Sequence, residues 1–210
     1  MSRPRLVALD VADGAGAWTA LGFAVDGDGR CRVGSTDLML RGGTDGIVGW
    51  TLQGAIPAAG GIDGLPTTVG AADDDAARPA PAHPNGTVAI DHVVLMTPDT
   101  VRTFEALEAA GFELRAVRDA GTPERPLRQG FLLTAEAIVE VVGPPEPAGD
   151  GPARLWGVTF VSEDLDATCA MLGPEAVSGP RDAVQPGRRI ASVRRGAGLA
   201  VPVAFMTPRA

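Results

Sequence analysis

Residues 88–111 read VAIDHVVLMTPDTVRTFEALEAAG, and this stretch decides the fold. Val88–Met96 is rich in β-branched residues and predicts a strand. Asp99 stands where a helix N-cap is expected, and the helix it opens runs to Ala110 with Val101, Phe104 and Leu107 on its inner side. Gly111 is the stop, a residue that adopts the left-handed conformation ending a helix at little cost. Further strands are predicted at Glu113–Arg118, Arg128–Leu133 and Ala137–Val142.

Outward from this segment the pattern repeats. Leu155–Val161 (LWGVTFV) predicts a strand, Glu163 or Asp164 caps a helix to Leu172, Gly173 stops it, and strands follow at Arg188–Arg194 and Leu199–Phe205. A shortened copy lies near the N-terminus. Leu6–Val11 is its strand, Ala15–Leu21 its helix, and Gly22-Phe23 matches Gly111-Phe112 before strands at Arg30–Gly34 and Asp37–Arg41. Ile47–Gln53 (IVGWTLQ) is similar to the strand opening the third unit, yet no helix follows it. It is either the remnant of a fourth unit or a chance likeness between short β-rich strings. The predicted organisation is a degenerate βαββ-type module over 1–54, a connector over 55–87, and a paired domain over 88–208 with modules 88–145 and 152–208. The connector is rich in Pro, Gly and Ala, and is expected to be mobile around Asp73–Pro84.

Composition removes several chemistries. The sequence has no lysine, so lysine Schiff bases and phosphate-loop nucleotide hydrolysis are excluded. A net charge of −8 argues against broad nucleic-acid binding and against docking on an anionic membrane. No apolar run reaches the length of a membrane span, and no signal-type hydrophobic region follows the opening residues, so a cytoplasmic protein is expected. Cys31 and Cys169 lack metal-type or redox-type spacing and read as ordinary buried thiols. No serine sits in a nucleophile-elbow context, and the paired glycines lack the setting of a dinucleotide site. Trp18, Trp50 and Trp156 read as core or interface residues.

A strand carrying His92, then Asp99 and a helix ending Gly-Phe, then a distal strand carrying Glu140, resembles the vicinal oxygen chelate superfamily of glyoxalase I, bleomycin-resistance proteins and extradiol dioxygenases. The segment Val158–Ala167 (VTFVSEDLDA) and the later Gly187–Ile190 and Gly196–Leu199 strengthen the likeness. The resemblance implies an α+β fold in which tandem βαβββ modules pair into a curved, cup-like mixed sheet with helices outside. It also implies metal ligands on the first and last strands of each module. By position, His92 and Glu140 match such ligands. Strand alternation sets His92 on one face with Ile90 and Val94, and Glu140 with Ile138 and Val142.

The third unit departs from the pattern: the position matching His92 is Gly157 and that matching Glu140 is Pro202, neither of which can ligate a metal, and the N-terminal positions near Leu6 and Met39 are no better. A catalytic metal usually needs about three protein ligands. Gln129 and Glu136 are the nearest additional oxygen donors in sequence. His83, in the connector, is expected to be an exposed linker histidine, which disfavours a two-histidine iron site. The ligand count therefore predicts no cofactor, with a divalent metal as the alternative. Thr159 and Arg189 are further ligand-binding candidates; Arg189 belongs to a cluster with Arg188, Arg194 and Arg195 and is the expected contact for an anionic group. Three functions follow. One is a metal-free module binding a small molecule. Another is a metal-dependent lyase or isomerase of the glyoxalase type, in which Glu140 is ligand or base. The third is a non-catalytic interaction scaffold. Incomplete modules leave sheet faces to be covered, which points to a homodimer.

Overall fold

A computed structural model describes residues 3–57, 60–70 and 79–209. In chain order the elements are β1 (Arg5–Ala12), α1 (Ala15–Ala20), β2 (Arg30–Val33), β3 (Thr36–Leu40), β4 (Gly46–Gln53) and β5 (Thr67–Val69). Next come β6 (Thr87–Met96), α2 (Thr100–Ala109), β7 (Glu113–Thr122), β8 (Arg125–Leu133) and β9 (Ile138–Gly143). The chain finishes with β10 (Arg154–Ser162), α3 (Leu165–Leu172), β11 (Arg181–Asp182), β12 (Arg189–Ser192) and β13 (Val203–Met206). The fold is α+β, and the last two groups are the βαβββ modules that the repeat predicts.

Both sheets are mixed. Their strand orders are β2-β3-β1-β4-β5 and β11-β12-β13-β10-β6-β9-β8-β7. Within each complete module the first strand lies parallel to the last, β6 against β9 and β10 against β13, while the intervening strands run antiparallel. The shorter sheet repeats the centre of the longer one: β4 lies beside β1 as β6 lies beside β10, and β4 is parallel to β5 as β6 is to β9. Among the described residues no helix joins β4 to β5, which is how the fourth-unit remnant would look.

Local chemistry explains the helices. Asp99 accepts a hydrogen bond from the Arg102 N–H at 3.0 Å, and Asp164 does the same for Ala167 at 3.0 Å, so each carboxylate satisfies a backbone donor that the first turn leaves open. Phe104 and Leu107 turn inward from α2, and Gly130 on β8 is what lets the ring of Phe104 approach the sheet.

The chain forms two compact units, each discontinuous in sequence. One comprises Met1–Leu9, Val48–Asp73 and His92–Trp156; the other comprises Asp10–Ile47, Asp74–Asp91 and Gly157–Ala210. In the first, Trp50 stacks on Phe112 with centroids 5.9 Å apart, beside the buried Leu95, Leu132, Val139 and Val141. In the second, Trp18, Phe23, Phe160 and Phe205 form an aromatic cluster. Trp18 and Trp50 are core residues, whereas Trp156 is 43% exposed.

The connector is more ordered than its composition suggests. It contains β5, the Ile62–Leu65 bridge with both side chains buried, and Asp63, which receives the Arg102 Nε at 2.6 Å and also the Thr103 hydroxyl. Residues 71–78, which take in the start of the expected mobile stretch, lie outside the described residues. His83 corrects an expectation: it is buried, not exposed. Its Nδ1 accepts the Ala24 N–H at 3.0 Å, so the proton must sit on Nε2, which donates to the Arg32 carbonyl at 3.0 Å. The ring packs edge-on against Phe23, and burial pushes its pKa down. Three good contacts outweigh the polar, proline-rich context that suggested solvent.

Candidate functional site

The first unit brings His92 and Glu140 together. They stand on adjacent parallel strands two residues out of register, since Val94 rather than His92 lies opposite Glu140. His92 Nε2 is 3.5 Å from Glu140 Oε2, and both side chains are sheltered, at 12% and 13% exposure. Glu140 has a second partner. Its Oε1 accepts from Gln129 Nε2 at 2.7 Å, and Gln129 Oε1 in turn accepts from Arg118 Nε at 2.8 Å. The Arg118 guanidinium lies 5.1 Å from the centre of the Phe131 ring, within range of a cation–π contact. The result is a polar row running diagonally from β6 across β9 and β8 to β7.

A bulge makes this row possible. Leu114 pairs with Leu132, but Ala116 pairs with Phe131, so Arg115 is the extra residue on β7. Past the bulge Arg118 lies opposite Gln129; in unbroken register Val117 would take that place and Arg118 would face Arg128. The other side of these strands faces α2, where Val93, Leu95, Leu132, Val139 and Val141 are buried. The polar row thus occupies the side away from the helix, among Val94, Phe131 and Ile138.

The donor set does not suit a catalytic metal. It offers one imidazole nitrogen and one carboxylate, and that carboxylate already accepts from an amide. Gln129 turns its nitrogen, not its oxygen, toward Glu140, because Arg118 holds the oxygen. Glu136 is engaged by Arg5 instead. Among the described residues no group of three or more His, Cys, Asp or Glu side chains is placed to hold a metal ion.

The other candidates belong to the second unit. Thr159 is buried on β10 opposite Ala204. Arg189 forms a two-point pair with Asp166 on α3, both contacts 2.8 Å, which raises the pKa of the arginine and lowers that of the aspartate. Its neighbour Arg188 is buried, 2.7 Å from Asp91 and donating to the Thr207 carbonyl. Gly157 does occupy the place of His92, but the counterpart of Glu140 is corrected by register. Thr159 pairs with Ala204 as Val94 pairs with Glu140, so Ala204 takes that place, and Pro202 corresponds to Ile138. Gly157 and Pro202 are close-packed: a Cβ at 157 would stand 2.8 Å from the Pro202 carbonyl oxygen.

Arg118 is the site residue that sequence reasoning missed. Alternation along β7 alone cannot locate it, because the bulge resets which residues share the face.

No family model and no curated protein matches the sequence. Solved structures of similar chain path include methylmalonyl-CoA epimerase from Mycobacterium tuberculosis, at 16% identity over 60% of this chain and 91% of that one, with a TM-score of 0.46. Another is the Streptomyces coelicolor methylmalonyl-CoA epimerase in complex with 2-nitronate-propionyl-CoA, at 22% identity over 58% and 97% of the two chains, TM-score 0.44. A hypothetical protein from Bacillus halodurans C-125 is 12% identical over 58% and 94%, TM-score 0.45.

Proposed function

We propose that this protein binds a small molecule on the sheet face that carries His92 and Glu140, and does so by hydrogen bonding without a complete catalytic metal site. The observation behind the reading is the polar row itself. Sheltered polar groups on an apolar sheet face cost stability unless they are bonded, and here Arg118, Gln129 and Glu140 are hydrogen-bonded in a chain, with His92 3.5 Å from Glu140. His92 and Glu140 supply a donor and an acceptor at one end, and Val94, Phe131 and Ile138 supply apolar contact beside them. A few placed polar groups within an apolar surround is the usual make-up of a ligand site.

Two measurements test this. Calorimetric titration of nickel, zinc and manganese should show weak binding that His92→Ala leaves unchanged. Tight one-to-one binding lost in that variant would overturn the metal-free reading and put a metal-dependent lyase or isomerase first. The imidazole NMR signals of the two histidines provide the second readout, with buried His83 as internal reference. Small aromatic fragments that bind should move the His92 signals and leave those of His83 in place.

A further inference from the structure

Arg118 is unlike the other sheltered arginines. Each of the other buried or half-buried arginines has a carboxylate oxygen within 3.3 Å. Arg118 has none among the described residues. Its Nε bonds the neutral amide of Gln129 and its plane rests near Phe131, while its terminal nitrogens make no hydrogen bond to described residues. In a chain of net charge −8, acidic partners are plentiful, yet this cation is held half-buried by an amide and a ring.

We propose that the ligand of this face carries a carboxylate and that Arg118 is its anchor, an assignment that rests on the binding reading above. A guanidinium whose Nε is fixed and whose plane is supported presents its outer edge as a two-pronged donor, the geometry that suits a planar carboxylate. Gln129 sets the orientation, since its oxygen can be turned to Arg118 only while its nitrogen bonds Glu140. The row spans β7 to β6, three strand spacings or about 14 Å. Between its ends lie Phe131, Ile138 and Val94. The ligand class is therefore a small carboxylate with an apolar or aromatic body and a hydroxyl or carbonyl that reaches His92 and Glu140.

The test uses the full chain and matched probes: benzoate, phenylacetate and 2-naphthoate, their primary amides, and 2-naphthyl phosphate. Binding is followed through the His92 imidazole and the Arg118 Nε–H signals. The carboxylates should bind about tenfold or more tighter than the amides, as expected when a charged hydrogen-bonded pair is lost. Arg118→Gln should abolish that difference, and His83 signals unchanged in the variant show that the chain still folds. If carboxylate and amide bind alike at His92, and Arg118→Gln changes neither, the ligand class is wrong while the binding face stands. Tighter binding of the phosphate than of naphthoate would likewise overturn the carboxylate assignment. Should no probe move either the His92 or the Arg118 signals, both the ligand class and the binding face fall.

Discussion

Replacing Gly130 by alanine should destabilise the first unit, although the same change in an open strand would do the reverse. Gly130 has strand geometry that alanine adopts readily, and a Gly→Ala change at such a position stabilises by about 0.4–1 kcal/mol through the unfolded chain. The obstacle is Phe104. A Cβ at 130 would lie 2.2 Å from its Cε1, 2.4 Å from its Cζ and 3.2 Å from its Cδ1. Carbon pairs prefer roughly 3.5–4.0 Å, so the ring must retreat by more than about 1 Å. Overpacking of this kind costs about 1–3 kcal/mol, which exceeds the backbone gain. A net loss of about 1–2 kcal/mol should lower Tm by about 2–8 °C for a chain of this size. Urea unfolding followed by tryptophan fluorescence measures it, in wild type and in a Phe104→Leu background where the ring is gone. The cost should shrink to below about 0.5 kcal/mol in that background, because contacting residues couple. An alanine that stabilises the wild type, or one that costs the same in both backgrounds, would refute the packing argument.

Two further outcomes follow from buried titratable groups. His83 is held neutral, with its pKa pushed below the ordinary 6.5, so the unfolded chain binds its proton more readily than the folded one. Stability should be fully present above pH 6.5 and fall as pH drops below it; His83→Gln, which can still accept from Ala24 and donate to Arg32, should flatten the fall in urea midpoint between pH 7.5 and 5.5. An unchanged slope in the variant would remove His83 as the cause. Cys31 is buried and its thiol pushed up to about 12, chiefly by desolvation, so at pH 8 only about one thiol in ten thousand is ionised. A thiol-reactive disulfide should label Cys169 first and reach Cys31 only on denaturation; labelling of Cys31 in the native protein would contradict its burial.

Much of the fold was legible because the repeat is written in strong local signals. Asp99 and Asp164 cap the helices they were expected to cap, and their geometry follows from short-range hydrogen bonds that sequence neighbours decide. The facing of His92 and Glu140 was legible for a similar reason, since alternation along two straight strands fixes their side. What failed depends on pairing between distant segments. Counting from the helix cap located Gly157 but placed Pro202 where Ala204 belongs, because only the parallel register of β10 and β13 says which residues are opposite. Arg118 was hidden by a single bulged residue on β7. His83 looked like a linker residue, and its burial is set by Ala24, Arg32 and Phe23, all more than fifty positions away. β5 was missed because three residues among glycines and prolines make no periodic pattern, yet they pair with Trp50–Leu52.

The crossover between β4 and β5 bears on how this chain can be re-engineered. Parallel neighbours must be joined by a connection that travels back along the sheet, and a helix usually does this. Here the described part of the return is irregular backbone, and that backbone has taken on work of its own. Asp63, in a left-handed conformation at φ 48°, holds Arg102 and Thr103 in the first turn of α2, and its carbonyl accepts from Ala153. Gly64 packs so close to Pro152 that a side chain at 64 would collide with it. A segment that looks expendable is thus a clasp, and new termini or an inserted domain placed there would open it. The tip of the β7–β8 hairpin, Thr122–Arg125, is exposed and is the better site for a new terminus or an inserted reporter.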